Sequence, residues 1–194
     1  MKLKLIIFVT GLMMVSSAAV SAQTSRYYKK GYHGSFELGT GVGVGKMDAG
    51  FVLDDNHVFL GEQKPGELIR LSTVHGYSLG NGIFIGGGLG WNFELFEGAQ
   101  YASAFADMKY NFFDASVCPF IEGRAGYYFQ TNGPRYETGG MFVSVATGVD
   151  FGRFSARLGY EFSPLKQNYR DRRGELLRYY YSLNQFFFTV SFNL

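Results

Sequence analysis

The feature that most constrains this chain is an alternation of apolar residues with polar or small ones, at a period of two. It is clearest over residues 35–45, where Phe36, Leu38 and Val42 share one face and Glu37 lies with glycines on the other. Successive side chains of a strand point to opposite faces, so the pattern predicts a β-strand rather than a helix. The same alternation recurs, with varying clarity, in seven further segments: 68–79, 83–95, 101–112, 117–129, 140–151, 154–163 and 178–194.

The length and number of these segments predict a membrane barrel. Most span about 10 to 12 residues, which is long enough for a tilted strand to cross a membrane. After residue 22 no run of about 18 apolar residues occurs, as a membrane helix would require. The 27 glycines and 18% aromatic residues fit tightly curved strands with a surface partly in lipid. We therefore predict an all-β, eight-stranded antiparallel up-and-down transmembrane β-barrel over residues 23–194.

The first 22 residues show the pattern of a cleaved secretory signal peptide. Lys2 and Lys4 supply a positively charged start, and residues 5–15 form a short apolar run. Small residues follow, and Ala22 occupies a position that a signal peptidase prefers. We expect cleavage after Ala22, and a retained membrane anchor is the alternative.

The links between the predicted strands differ in length in a regular way. Every second link is short, whereas three of the other four are clearly longer; in chain order the links are 47–67, 80–82, 96–100, 113–116, 130–139, 152–153 and 164–177. Outer-membrane barrels combine short periplasmic turns with long outer loops. This pattern places the first strand's start in the periplasm. Aromatic residues near both ends of the strands agree with two interfacial belts.

Charged residues in mid-strand indicate which face is turned away from lipid. A charge at the centre of a bilayer costs a few kcal/mol, so these residues are predicted to line the lumen. Four acids and four bases favour a paired network over a selective pore, and candidate partners for Glu122 are Lys109, Arg70 and Arg157. The predicted lumen residues are Glu37, Arg70, Asp107, Lys109, Glu122, Arg124, Arg157 and Glu161.

The opposite face is predicted to contact lipid. A soluble, lipocalin-like barrel would reverse the two faces, with apolar residues inside. Segment 68–79 fits least well, because His75 falls on the lipid face and Leu68 and Val74 on the lumen face. The predicted lipid-facing residues include Phe36, Ile85, Ile121, Val143, Leu158 and Val190.

The C-terminal segment FFFTVSFNL keeps this alternation up to the last residue. It resembles the C-terminal assembly signal of outer-membrane β-barrels, although that family usually ends in Phe and this chain ends in Leu194. As a whole the chain resembles the small, porin-like eight-stranded barrels of the OmpA-barrel and OmpX type. The resemblance implies an outer-membrane location and recognition by the barrel-assembly machinery through Phe188, Val190, Phe192 and Leu194, but no ligand or catalytic residue.

No cofactor, metal or nucleic-acid site is predicted. The single cysteine, Cys118, excludes an internal disulfide and a CxxC motif. No HExxH motif occurs among the histidines His33, His57 and His75. Without Lys2 and Lys4, which lie in the expected signal peptide, the processed chain is close to neutral, and no basic patch favours binding to nucleic acid.

Three functions fit a barrel of this size. Eight strands enclose an interior that side chains just fill, so an open pore is not expected. We favour a structural or surface-interaction role that presents residues 47–67 and 164–177 outside the cell. The second of these could bind lipopolysaccharide phosphates through basic side chains, or be merely solvated. Its basic residues are Lys166, Arg170, Arg172 and Arg173.

The alternatives are a narrow channel for small solutes or ions and a lipid-modifying enzyme embedded in the barrel. The enzyme needs a Ser or His with an acid near the outer leaflet. His75 is predicted at the periplasmic end and His57 in a long link, so we do not expect an enzyme.

Overall fold

The computed structural model describes residues 26–44, 47–53, 56–63, 66–95, 100–130, 136–170, 176–182 and 184–194. The expected signal peptide and its cleavage site lie outside these residues. A short 3-10 turn at Arg26–Tyr28 precedes twelve strands: β1 (Gly31–Gly43), β2 (Met47–Leu53), β3 (Asn56–Gln63), β4 (Glu67–Ser78), β5 (Ile83–Glu94), β6 (Gln100–Asn111), β7 (Val117–Gln130), β8 (Tyr136–Phe151), β9 (Phe154–Phe162), β10 (Pro164–Arg170), β11 (Leu176–Ser182) and β12 (Gln185–Asn193).

Eight of these strands close into a barrel in the order β1–β4–β5–β6–β7–β8–β9–β12. The ring is complete because β12 pairs with β1 on one side and with β9 on the other. Every pairing is antiparallel, and neighbours along the chain are neighbours in the wall apart from two excursions. The predicted closed, eight-stranded, up-and-down fold is confirmed.

The two excursions are β-hairpins. Residues 47–67 and 164–177, predicted to be loops, contain paired strands instead. Strand β2 pairs with β3, and β10 pairs with β11. The hairpins also join each other through β2 and β11, and β10 pairs with the first residues of β8. Pairing satisfies the backbone groups of a chain that leaves the barrel, and the Val, Phe and Tyr residues there favour strands. The predicted strand 178–194 is consequently divided into β11 and β12.

The two ends of the barrel differ. The end that carries the turns 79–82, 112–116 and 152–153 is called the short-turn end. Its tightest turn uses Gly152, whose φ of 63° is a left-handed conformation that glycine adopts without strain. The opposite end carries both β-hairpins and is called the hairpin end. The long links therefore gather on one side, as the sequence pattern predicted.

The outer wall of the barrel is apolar. The predicted lipid-facing residues Phe36, Ile85, Ile121, Val143 and Leu158 are 46–57% exposed, and Val190 also points outward. On β4, the least regular segment, Leu68 and Val74 are buried inside while His75 is exposed outside. A continuous apolar band exceeds what water-soluble monomers usually expose. In the described ranges no helix is long and apolar enough to cross a membrane.

Inward-facing glycines make room for aromatic rings in the narrow lumen. A Cβ atom placed on Gly148 would lie 2.5 Å from Cζ of Phe120, and one on Gly159 would lie 2.5 Å from Cζ of Phe187. Each ring thus lies against bare backbone of another strand. This packing fills the interior, as expected for eight strands.

We expect the purified protein in detergent micelles to have a β-rich circular dichroism spectrum. It should also migrate faster on a gel before boiling than after, because a closed barrel exposes no edge from which denaturant can open it. A helical spectrum, or identical mobility before and after boiling, would contradict the closed fold.

Candidate functional site

The lumen holds a stack of charged side chains, and all eight that were predicted to face it do so. Each of these side chains is buried or nearly buried. They form three layers along the barrel axis. The central layer is built around Glu37, the layer toward the hairpin end around Arg70, and the layer toward the short-turn end around Lys109.

Glu37 is the centre of the middle layer. Arg124 on β7 donates to its two carboxylate oxygens at 2.8 Å each, and Arg157 on β9 donates to the same oxygens at 2.8 and 2.7 Å. Ser72 on β4 donates a further hydrogen bond of 2.6 Å. Such bidentate pairs are strong and fix the orientation of both groups. One carboxylate therefore ties three other strands together across the lumen.

Two more acids complete this layer. Oε2 of Glu122 accepts from Arg157 at 3.0 Å, and Oε1 lies 2.7 Å from Nε of Arg124. The second contact is an ion pair by distance, because its geometry leaves that Nε without a hydrogen bond. Asp107 accepts from Arg124 at 3.1 Å through Oδ2, while its Oδ1 has no partner among the described residues. The layer holds three acids for two bases.

The layer toward the hairpin end is centred on Arg70 and Glu161. Arg70 pairs with Glu161 and also donates to the hydroxyl of Tyr128. The remaining hydrogen bonds to Glu161 come from Tyr128 and Gln185, each at 2.7 Å. Tyr128 packs with Leu68, Tyr101 and Phe142 in a buried apolar cluster. Apolar side chains thus pack next to the Arg70–Glu161 ion pair.

The layer toward the short-turn end holds the pair Lys109–Asp150. Nζ of Lys109 lies 2.7 Å from the carboxylate of Asp150, which also accepts from Asn111. The ammonium sits 3.8 Å from the ring centre of Phe120 and 4.2 Å from that of Tyr27. Aromatic faces stabilise a desolvated cation, so this lysine is held by one carboxylate and two rings.

Tyr27 closes the short-turn end. Its backbone carbonyl accepts from the Ser78 hydroxyl at 2.5 Å and from the Gly82 amide at 3.3 Å. The ring is buried and meets Phe84 edge to face at 5.6 Å. We call the segment Arg26–Tyr28 the N-terminal cap. Sequence reasoning did not predict it, because nothing local shows that the chain folds back into the barrel.

Two small cavities interrupt this packing among the described residues. One of about 30 Å³ lies between the central layer and the layer around Arg70. Another of about 10 Å³ lies between the central layer and the N-terminal cap. A single water needs roughly 10–15 Å³ on this measure, so the cavities hold a water or two each at most. The central layer separates them.

Two details of the predicted network differ from the structure. Asp150 belongs to it and was missed, although the alternation from Ser144 onward points to the inward face. Among the described residues the lumen network consequently holds five acids and four bases rather than a balanced set. Of the candidate partners for Glu122, Arg157 contacts it, but Lys109 and Arg70 pair with other acids.

The predicted assembly-signal residues lie on β12 or directly after it. Phe188, Phe192 and Leu194 point outward and are 40–58% exposed, and Val190 points the same way. Recognition by the assembly machinery stays a prediction.

Within the described ranges no three His, Cys, Asp or Glu side chains are grouped to hold a metal ion. Cys118 is buried, and its thiol donates to the Phe113 carbonyl at 2.8 Å.

Comparison with known proteins supports the fold. No protein-family model and no curated protein matches the chain. Among solved structures, the outer membrane protein OprG from Pseudomonas aeruginosa is similar at a TM-score of 0.51 and 7% identity, over 84% of this chain and 95% of that one. Neisserial surface protein A (NspA) is matched at a TM-score of 0.46 and 14% identity, over 83% and 96%. The chain has the small eight-stranded barrel fold that OprG also has.

Removing one member of the Lys109–Asp150 pair should cost more than removing both. Lys109→Met leaves a buried carboxylate without its cation, which typically lowers the free energy of unfolding by about 3–5 kcal/mol. Lys109→Met/Asp150→Asn removes both charges and should recover part of that loss, measured by urea unfolding in detergent or lipid.

The matched control combines Lys109→Met with Glu161→Gln, whose partner is Arg70 rather than Lys109. Its effects should add without recovery. Equal losses in the two double variants would show that Lys109 and Asp150 are not coupled.

Proposed function

We propose that this chain is a bacterial outer-membrane barrel that anchors and presents its two β-hairpins at the cell surface and does not conduct. The observation that carries the proposal is the central layer, where Glu37 binds Arg124 and Arg157 across the lumen. These paired charges occupy the cross-section through which a solute would have to pass. The proposed role involves no catalysis.

Several features support the outer-membrane location. The outer wall is apolar, and its aromatic residues concentrate toward both ends, as in membrane barrels. The fold is shared with an outer membrane protein, and the predicted signal peptide and C-terminal signal agree with export and assembly. Lipid, including lipopolysaccharide, and the barrel-assembly machinery are the proposed partners.

The hairpin end supplies the proposed interaction surface. Strands β8, β10, β11, β2 and β3 form one continuous sheet that extends the barrel wall past its rim. Backbone pairing gives this extension a defined shape that a loop of the same length would lack. Basic residues lie on β10 and in the link that follows it, where they could bind anionic groups such as lipopolysaccharide phosphates.

A narrow channel is the second candidate, supported by the cavities on either side of the central layer. Conduction would require Arg124 or Arg157 to leave Glu37. Breaking buried, bidentate pairs is costly unless new partners form at once. The closed barrel is therefore the better supported function.

Single-channel recording in a planar bilayer tests closure. The folded wild-type protein should show no steady conductance, and Tyr27→Ala should be equally silent, because it removes the N-terminal cap but keeps the central layer. A known porin in the same bilayer shows that insertion is detectable. Steady conductance of the wild-type protein would favour the channel. Conductance of Tyr27→Ala alone would show that the N-terminal cap, and not the central layer, blocks the lumen.

Trypsin added to intact cells tests orientation. We expect the first cuts after Arg172 or Arg173, between β10 and β11, and slower cuts at Lys166 and Arg170, whose backbone is paired in β10. Arg153, exposed in a short turn, should survive until the outer membrane is breached. The cleavage sites are read by mass spectrometry. Cleavage at Arg153 with 164–177 intact would invert the proposed topology.

A further inference from the structure

A histidine lies on the outer face of the barrel wall. His75 on β4 points outward on an otherwise largely apolar wall and is exposed. It lies three residues before the end of β4, roughly 10 Å along the strand from the short-turn end. Ionisable groups facing lipid are rare, and they usually mark a functional site.

His75 belongs to a chain of hydrogen bonds whose direction can be deduced. The Thr73 hydroxyl donates to the Ser35 carbonyl at 3.1 Å, which can only accept. The oxygen of Thr73 must then accept from Nε2–H of His75, 2.8 Å away. A neutral imidazole with a proton on Nε2 has an acceptor at Nδ1. The hydroxyl of Tyr32, 2.6 Å from Nδ1, therefore donates to it.

This direction makes the hydroxyl of Tyr32 the outer end of the chain of hydrogen bonds. Both ring nitrogens of His75 are used, and so is the hydroxyl proton of Thr73. The Tyr32 hydroxyl uses its proton in the hydrogen bond to Nδ1, its oxygen keeps lone pairs that can accept, and its side chain is 67% exposed. The complementary group is a hydrogen-bond donor, and an ammonium is the strongest candidate at a membrane interface.

An apolar groove begins at the same place. It is a shallow groove, open to the surroundings, with a volume of about 410 Å³. Thr73 lines the groove and also bonds His75, so the polar chain and the groove share a residue. Other outward side chains along the groove are Phe36, Leu71, Leu89 and Trp91.

The order of the two features along the wall matches one kind of molecule. The free oxygen of Tyr32 lies nearest the short-turn end, and the groove runs from Thr73 toward mid-strand at Leu71 and Leu89. A lipid in the leaflet on that side has its headgroup at the interface and its acyl chain toward the bilayer centre. The polar Tyr32 oxygen and the apolar groove therefore lie where the headgroup and the acyl chain of such a lipid would lie.

We propose that Tyr32, His75 and the adjoining groove form a lateral binding site for a glycerophospholipid with a primary-ammonium headgroup. The ammonium donates to the hydroxyl oxygen of Tyr32, and one acyl chain occupies the groove. The site lies outside the charged lumen and needs no opening of the barrel. It rests on the proposed membrane location, which places the wall in lipid.

Trp91, the only tryptophan of the chain, reports on the groove that it lines. We titrate the full protein in dodecyl maltoside micelles with phosphatidylethanolamine that carries brominated acyl chains, which quench tryptophan fluorescence on contact. Quenching should saturate at one lipid per barrel. Phosphatidylcholine with the same chains has no N–H donor and should bind roughly tenfold more weakly, as expected for loss of one charge-assisted hydrogen bond.

Two conservative variants separate the headgroup contact from general lipid binding. Tyr32→Phe removes the accepting oxygen and should abolish the preference for ethanolamine over choline. Tyr77→Phe is the matched control, because Tyr77 lies opposite Tyr32 in register, is also exposed, and should leave the preference unchanged. Heat-modifiable mobility establishes that each variant is folded.

The outcomes distinguish this proposal from the proposed function. Quenching that rises with lipid without saturating, equal binding of the two lipids, or an unchanged preference in Tyr32→Phe would overturn the lipid site and leave the closed barrel intact. Failure to form a heat-modifiable barrel in detergent would remove the membrane role itself.

Discussion

The ladder between β1 and β12 closes the sheet, and the other properties of the molecule depend on that closure. Without it, both strands would present unpaired backbone groups, which a bilayer does not satisfy. Closure gives every side chain in the wall one of two environments, the lumen or the surroundings. It also fixes the width of an eight-stranded lumen, in which Glu37 on β1 can reach Arg157 on β9 across the interior. Because eight strands enclose a narrow lumen, charged side chains that point inward from different strands come into contact.

The charged lumen is better understood as a constraint on arrangement than as a source of stability. A buried ion pair gains little over apolar packing, because both charges lose their hydration. Breaking one is expensive, however, and Glu37 has two arginine partners and Ser72. A one-residue slip of the strand register would move these groups to the apolar outer wall. The network therefore penalises such alternative registers strongly.

The sequence predicted those features of the structure that depend on the alternation of inward and outward residues within a single strand. Alternation identified the eight barrel strands and their inward face, including the irregular strand with His75 outside. The ion-pair partners were not predictable, since Glu37 and Arg157 are 120 positions apart and meet through the closure of the sheet. Tyr27 was missed for the same reason, as its contacts depend on the chain folding back into the lumen. The hairpins were missed because their strands continue the wall past the length that a membrane strand requires.

Exceptions to the alternation fall into two groups with different physical explanations. Apolar residues inside, such as Phe120 and Phe187, lie over glycines on other strands and fill volume that the charged side chains leave. His75 is a polar exception outside, and it is tolerated because Tyr32 and Thr73 satisfy both ring nitrogens. A purely structural solution would place an apolar residue there, since three polar groups must be ordered to keep one imidazole on an apolar wall. In this chain each group donates to the next, and the chain begins at the exposed hydroxyl of Tyr32, whose oxygen can still accept a hydrogen bond. That direction is the physical reason to expect a hydrogen-bond donor from outside the protein at this point on the wall.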